Sequence, residues 1–325
     1  MSNLERVPAE ILLADRTDAG DGLVEIFTPR EVPLGGPRAM SVRRTLPQRG
    51  RTLIGAWCFV DHYGPNDVAH RDGMVVPPHP HTGLQTISWL FAGEIEHRDS
   101  AGHHTLVRQG ELNLMTAGRG IQHSEVSTPT TSVLHGVQLW VALPDAARHA
   151  APDLEHYAPE QVRLGAATLR VFLGAVGGGR SPVRTATPLL GAQIDLPAGE
   201  RLELAVDTGF EHGILVDCGT VAVNGTTVEA GSLAYLPLGE PTLVLQAAGD
   251  ARAVLIGGTP LGEPILMWWN FIARTHEEIV ELRRRWQADV IGHADDRGPF
   301  GRVEGYVGEP LPAPEMPAVR MRPRA

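Results

Sequence analysis

Apolar and polar residues alternate in short runs along most of the chain, and glycine or proline separates many of these runs. Alternation with a period of two places apolar side chains on one face of a strand, while the glycines and prolines mark turns. Many short strands of this kind are typical of β-barrels and β-sandwiches. We therefore predict an all-β fold, with helical periodicity confined to the C-terminal region.

A strand-turn-strand pattern occurs twice. Residues 93–97 and 106–115 form the first copy, and residues 219–223 and 227–236 form the second. In both copies a glycine opens the first strand, and another glycine precedes the last alternating strand. An internal repeat of this length indicates a duplicated domain. We predict two antiparallel β-barrels built on the same plan.

The segment between the two copies is rich in alanine and proline, which is typical of a connector. We predict an N-terminal domain over residues 1–145, a linker over 146–164 and a C-terminal domain over 165–308. Residues 309–325 contain five prolines and lack a periodic apolar face. We expect this tail to lie on the surface or to be disordered.

One amphipathic helix is predicted over residues 276–290. Thr275 precedes Glu278 by three positions, which is the spacing of a capping box at a helix start. The predicted buried face has helical spacing. Its members are Ile279, Leu282, Trp286 and Val290.

The charge of the chain argues against some functions. The formal net charge is -10, and all 28 basic residues are arginines. An acidic protein repels phosphate backbones, so direct nucleic-acid binding is disfavoured. The absence of lysine excludes Schiff-base catalysis and a P-loop.

Two further features favour the cytoplasm. Cys58 and Cys218 lie far apart in apolar surroundings, so we expect two buried free thiols and no disulfide. The first thirty residues contain six acidic residues and no apolar run long enough for a signal peptide or a membrane span.

Candidate metal ligands occur as two pairs, His79 with His81 and His123 with Glu125. A spacing of two residues on a strand puts both side chains on the same face. If the two strands are neighbours in a barrel, three imidazoles and one carboxylate converge inside it. A lone His-x-His pair is more often a surface pair, but the second pair favours a metal site. We expect the other histidines, including His103 and His104, to be solvated, and we leave His97 open.

Three imidazoles and a carboxylate suit iron, nickel, copper, zinc or manganese, and the ligand types do not choose among these metals. Four protein ligands leave open positions on an octahedral ion. A closed structural zinc site would more often contain cysteine.

Several segments resemble the N-terminal domain of the pirin family, and the similarity continues into the second half at residues 257–264. The strongest similarity covers residues 59–142. The matching segments are residues 59–65, 78–87, 93–94, 97–100, 115–125 and 134–141.

The resemblance implies a bicupin, with two cupin-type antiparallel barrels, a single iron (Fe2+) in the N-terminal barrel and a second barrel that has lost its ligands. Some pirins are quercetin 2,3-dioxygenases, which open a flavonol ring with dioxygen. Others are described as iron-dependent transcriptional co-regulators. The chain differs from frequent family residues at Thr82 and Gln85, which affects the polarity of the pocket mouth.

Two functions follow. As a dioxygenase, the protein would bind a flavonol at the metal, with Glu125 as both ligand and general base. Strand parity would then place an apolar wall, formed by Ile87, Trp89 and Phe91, beside the metal, although these residues are equally consistent with barrel core. As a redox-sensitive regulatory protein, it would instead bind an unidentified protein partner. Flavonol loss and oxygen uptake by iron-loaded protein would separate the two.

The C-terminal barrel is expected to bind no metal. Counting from the repeated glycines places Ala205 and Asp207 near the positions of His79 and His81, and Val244 and Gln246 near those of His123 and Glu125. His212 is the only histidine between residues 164 and 273. We therefore predict one metal ion per chain.

Overall fold

The computed structural model describes residues 11–13, 24–34, 40–48, 50–69, 73–295, 297–318 and 320–321. The first half contains strands β1 (Ile11–Leu13), β2 (Glu25–Phe27), β3 (Arg30–Leu34), β4 (Met40–Leu46), β5 (Trp57–Asp67), β6 (Val75–His81), β7 (Leu84–Ala92), β8 (Glu94–Asp99), β9 (His104–Arg108), β10 (Leu112–Thr116), β11 (Ile121–Ser127), β12 (Val133–Ala142) and β13 (Asp153–Tyr157).

The second half contains β14 (Gln161–Leu164), β15 (Ala167–Leu173), β16 (Ala175–Val176), β17 (Gly179–Arg180), β18 (Leu189–Leu196), β19 (Arg201–Ala205), β20 (Glu211–Cys218), β21 (Thr220–Val223), β22 (Thr226–Glu229), β23 (Leu233–Leu236), β24 (Thr242–Ala247), β25 (Ala251–Gly258), β26 (Ile265–Trp268) and β27 (Phe271–Ala273). Helix α1 (His276–Arg285) follows, and a π-helical segment continues it over Trp286–Ile291.

The structure contains two barrels, each built from a seven-stranded and a four-stranded antiparallel sheet. In the N-terminal barrel the strand orders are β13-β10-β7-β12-β5-β4-β3 and β6-β11-β8-β9. In the C-terminal barrel they are β14-β15-β18-β25-β20-β23-β2 and β19-β24-β21-β22. The repeated sheet plan confirms the prediction of an all-β, two-barrel fold with one C-terminal amphipathic helix.

Segments from each end of the chain pack on the barrel of the other half. Strand β2 forms the edge of the C-terminal sheet beside β23, and β1 pairs with β26. Strand β27 lies against the N-terminal barrel, where Ile272 N donates to Thr82 O at 3.0 Å. The predicted linker contains β13 and β14, which pair with the N-terminal and C-terminal sheets respectively. Strand pairing thus ties the two halves together through β1, β2 and β27.

An apolar core lies between the two seven-stranded sheets and takes residues from both halves. Trp57, Leu139 and Phe172 are all fully buried in it. The tryptophan N–H groups are satisfied across the interface: Trp57 Nε1 donates to Gly257 O at 2.9 Å, and Trp89 Nε1 donates to Gln193 Oε1 at 2.9 Å. Burial of this area stabilises the association of the barrels.

The interiors of the two barrels differ in chemistry. A cluster of buried apolar side chains fills the C-terminal barrel, including Leu202, Leu204, Leu243 and Leu245. The N-terminal barrel instead buries several histidines and a glutamate, which are described below. Buried polar groups need partners, so the N-terminal interior is the place where a ligand is expected.

The C-terminal helix begins as predicted, because the Thr275 side chain accepts a hydrogen bond from Glu278 N at 3.2 Å. Ile279 and Trp286 are buried on its inner face. The described residues of the Pro-rich tail, 309–318 and 320–321, pack against the rest of the protein. Leu311 N donates to Pro78 O at 2.8 Å, and the Trp286 Nε1 group donates to Leu311 O at 2.9 Å. These bonds hold the tail against both the helix and the N-terminal barrel.

Cys58 is a buried free thiol, as expected, but the expectation was wrong for Cys218, which is exposed. Cys218 is the last residue of β20, and the register shift at this end of the strand turns its side chain outward. Among the helices that the structure describes, none combines the length and apolar character needed to cross a bilayer.

A buried polar cluster joins the two barrels. His62 and His135 in the N-terminal barrel each place Nε2 2.6 Å from Asp217 Oδ1 in the C-terminal barrel. Arg252 NH1 donates to Asp217 Oδ2 at 3.3 Å, and an Arg43 nitrogen lies 3.3 Å from His62 Nε2. Burial alone would raise the pKa of Asp217, but the hydrogen bonds from His135 and His62 hold it well below its usual range. The cluster is therefore an ionised carboxylate that accepts from two imidazoles.

We expect the free energy of unfolding to fall with acidification because of His62. Burial lowers the pKa of His62, with Arg43 and His135 acting in the same direction and Asp217 opposing them. The pKa of His62 in the unfolded chain is about 6.5. At pH values between the lowered folded-state pKa and about 6.5, the unfolded chain binds a proton that the folded chain excludes. The contribution of His62 to the free energy of unfolding is therefore fully present above about pH 6.5, and it declines below that pH by up to about 1.4 kcal/mol per pH unit. Urea unfolding at about pH 7.5 and about pH 5 checks this. Wild type should lose more stability than His62→Gln, and equal losses would contradict the assignment.

Candidate metal centre

Three neighbouring strands carry paired polar residues on the inner face of the N-terminal barrel. In the register of the four-stranded sheet, His123 on β11 lies opposite His79 on β6 and opposite Asp99 on β8. Glu125 lies opposite His97. Because side chains two residues apart share a face, the pairs on β6, β11 and β8 all point into the barrel.

His79, His81 and His123 come together in the interior. Their ring centroids are 4.4 to 5.0 Å apart, and one ring nitrogen of each lies within 4.8 Å of the others. All three side chains are fully buried. Burial lowers the pKa of His79 to about 3, and burial together with the nearby His79 lowers those of His81 and His123. The three imidazoles are therefore neutral, which is the form that binds metals.

The hydrogen bonding of these rings fits a metal. The Nε2 atoms of His79, His81 and His123 are buried and have no hydrogen-bond partner among the described residues. The Nδ1 atom of His79 lies 2.8 Å from Pro77 O, so it carries the proton and leaves a lone pair on Nε2. Three convergent buried nitrogens with no partner among the described residues are costly unless a cation occupies the space between them. This donor set suits a divalent transition metal.

Glu125 is also buried in this interior, but it forms an overlapping group with His123 and His97 rather than with all three histidines. A β-bulge accounts for the offset. His123 pairs with His79, and Glu125 pairs with Val76. Two residue steps on β11 therefore lie opposite three residue steps on β6. The extra residue falls at Pro77 and Pro78, as expected for prolines within a strand.

A hydrogen-bond chain orients the Glu125 carboxylate. Ser88 Oγ lies 3.0 Å from Glu125 Oε1 and 2.8 Å from the Gln138 side-chain oxygen, while Gln138 Nε2 lacks a described partner. Exchanging the amide oxygen and nitrogen of Gln138 gives a consistent direction to both bonds, with Gln138 donating to Ser88 and Ser88 donating to Glu125. Ser88 therefore positions the carboxylate.

The prediction that Ile87, Trp89 and Phe91 form an apolar wall beside the metal is wrong. Trp89 contacts Phe172 of the C-terminal barrel at 4.7 Å, and Ile87 and Phe91 also belong to the core between the barrels. Strand β7 turns its opposite face to the candidate metal centre, as the bond from Ser88 to Glu125 shows. The inward parity of the strand was therefore assigned one residue out of step.

A different aromatic group borders the site. The Trp140 ring meets His81 edge to face at 5.0 Å and stacks on Phe59 at 4.1 Å. The Arg44 guanidinium covers the other side of Phe59 at 4.2 Å and forms a buried ion pair with Asp61. Sequence reasoning missed Trp140, although it alternates with Gln138 on the same strand face.

The prediction that the other histidines are solvated is wrong for His62, His135 and His212, which are buried. His103 is partly exposed, and its Nδ1 lies 3.0 Å from Asp99 Oδ2. His104 is exposed and lies 2.7 Å from Glu96. His97, which the sequence left open, is buried beside His123. The His97-x-Asp99 spacing repeats that of the two ligand pairs and could have revealed its inward position.

Comparison with known proteins agrees with this architecture. The Pirin family model matches residues 39–141, and the Pirin C-terminal cupin domain matches residues 191–292. A Pseudomonas aeruginosa protein named "Putative quercetin 2,3-dioxygenase" is 39% identical over 319 residues, covering 98% of both chains. A pirin-like protein of Caulobacter vibrioides is 32% identical over 287 residues, covering 85% of this chain and 97% of the relative.

A solved structure is similar over nearly the whole chain. The crystal structure of quercetin 2,3-dioxygenase from Acinetobacter baumannii is 36% identical, with a TM-score of 0.85, and covers 93% of this chain and 98% of its own. The two family matches fall on the two barrels that the internal repeat predicts. The chain therefore belongs to the pirin family.

Proposed function

We propose that this protein is an iron-dependent dioxygenase that acts on flavonols such as quercetin, with one metal ion held by His79, His81, His123 and Glu125. The observation that carries the proposal is the convergence of three buried imidazole nitrogens without described partners next to a buried carboxylate. We assign the chemistry to the N-terminal domain, residues 1–145, and a supporting role to the C-terminal domain. The names of the relatives support the substrate class.

A divalent metal at this site would supply the Lewis acidity that lowers the pKa of a flavonol hydroxyl, and iron would also supply the redox chemistry that dioxygen requires. The residues of the chain perform the other tasks. Glu125 accepts the hydroxyl proton as general base, while Ser88 holds its Oε1 atom in place. The buried interior excludes water, which strengthens these electrostatic interactions. Trp140 offers an aromatic surface beside His81 for a planar substrate.

The test uses protein purified without oxygen and loaded in turn with iron, nickel, copper, zinc or manganese. Iron-loaded protein should bind about one metal per chain and consume dioxygen as the flavonol absorbance disappears. The zinc-loaded form is the control, since zinc has no redox chemistry. Tight metal binding without turnover with any of these metals would contradict the proposal and favour a regulatory protein.

Replacing Ser88 with alanine should lower the turnover of flavonol by roughly 10- to 100-fold, because the carboxylate loses the group that orients it. Metal affinity should change less than turnover. Ser127→Ala is the matched control, since Ser127 is another strand serine of the N-terminal barrel, at the end of β11, but it bonds the backbone of Met74. Steady-state kinetics on both variants measures the effect, and equal turnover in the two would remove Ser88 from the mechanism.

A further inference from the structure

A second pair of polar residues stands behind the candidate ligands. His97 and Asp99 on β8 face Glu125 and His123 on β11. The Nδ1 atoms of His97 and His123 are 3.4 Å apart, and His97 Nε2 lies 3.1 Å from Asp99 Oδ2. Both side chains are buried. The three residues therefore form a continuous chain from the metal centre to a carboxylate.

The carboxylate at the end of this chain is firmly anchored. Asp99 Oδ1 accepts hydrogen bonds from the backbone N–H groups of Ala101 at 2.9 Å and His103 at 3.1 Å. The His103 ring adds a contact at 3.0 Å. Two backbone donors on Oδ1 and the imidazole contact on Oδ2 favour the ionised carboxylate. An ionised carboxylate accepts hydrogen bonds and cannot donate them.

With a neutral His97 ring, these contacts allow one consistent placement of protons. Because Asp99 only accepts, His97 carries its proton on Nε2 and presents a lone pair at Nδ1. That lone pair accepts the proton on His123 Nδ1, which leaves the lone pair of His123 on Nε2. This is the nitrogen that lies among His79 and His81 without a described partner. Asp99 thus sets the tautomer of His123 through the intervening ring of His97.

We propose that His97 and Asp99 are positioning residues that hold His123 in the tautomer and orientation needed to bind a metal. His79 achieves the same through the Pro77 carbonyl, so two of the three imidazoles have a partner on the nitrogen facing away from the centre. His97 is not itself a ligand in this assignment, because it contacts the Nδ1 edge of His123. The inference rests on the proposed metal centre but not on flavonol turnover.

Three variants test the proposal. His97→Phe keeps a ring but removes both nitrogens, whereas His97→Asn keeps an oxygen acceptor near the position of Nδ1. His104→Leu is the matched control, since His104 is an exposed histidine of the β8-β9 hairpin that pairs with Glu96. Each variant is examined by chelator competition with Zn2+ and Fe2+ and, without metal, by ring-nitrogen NMR of His123. Thermal unfolding shows whether each is folded, and His97→Leu replaces His97→Phe if the latter is not.

We expect His97→Phe to lower metal affinity about 10- to 100-fold and to shift His123 away from the form protonated at Nδ1. His97→Asn should restore most of both properties, and His104→Leu should behave as wild type. Unchanged affinity and tautomer in His97→Phe would overturn the proposal. So would complete loss of binding in both His97 variants, since that result would make His97 a ligand. The NMR result is independent of activity, so a protein that fails to oxidise flavonols can still pass this test.

Discussion

Replacing His81 with alanine is expected to lower the affinity for a divalent metal by at least about 100-fold while leaving both barrels folded. His81 is one of three imidazoles that converge, so its loss leaves two nitrogens and removes the chelate formed with His79. The fold should persist because His81 Nε2 has no described hydrogen-bond partner to lose. The apolar core between the barrels supplies the burial that stabilises the chain. Chelator competition measures the affinity, and urea unfolding of the metal-free protein measures stability.

His212→Ala is the matched control for this substitution. His212 on β20 is equally buried, burial lowers its pKa to about 4, and neither of its ring nitrogens has a described partner. It belongs to none of the three described groups that could hold a metal. His212→Ala should therefore retain the affinity of wild type. If both variants bind metal as wild type does, the three-histidine centre is not the metal site.

Glu125→Gln is expected to bind iron more weakly and to lose flavonol turnover by roughly 100- to 10,000-fold, even when iron is supplied in excess. The amide keeps the size of the side chain and one oxygen donor, but it has neither the negative charge nor the ability to accept a proton. Ser88 Oγ can accept from the new amide, so the local packing should be preserved. Single-turnover absorbance measurements on iron-loaded protein separate proton transfer from metal loading.

The control for this second substitution is Glu211→Gln. Glu211 is a buried carboxylate that accepts hydrogen bonds from Gly55 N at 2.7 Å and from the Tyr235 hydroxyl at 2.7 Å. It begins strand β20 of the C-terminal barrel and belongs to none of the described groups that could hold a metal. Its replacement should reduce stability without changing iron affinity. Iron-loaded Glu125→Gln that cleaves flavonol at the wild-type rate would show that the carboxylate has no catalytic role, although the metal assignment would stand.

The sequence by itself determined the features that depend on local spacing. Alternation and the internal repeat predicted two barrels, and the capping pair at Thr275 predicted the start of the helix, because strand and helix periods are properties of neighbouring residues. The i and i+2 spacing likewise placed His79 with His81 and His123 with Glu125 on strand faces. The family resemblance added the bicupin arrangement and the expectation of iron.

Only the tertiary structure decided which face of each strand points inward and which strands are neighbours. The parity of β7 placed Ser88, not Trp89, beside the metal centre, because both faces of this strand are buried and alternation cannot separate two buried faces. The bulge at Pro77 and Pro78 offset Glu125 from His79. His97 and Asp99 reached His123 through strand pairing, which joins residues 24 or more positions apart. Such contacts are set by register between strands, and register is a property of the whole sheet.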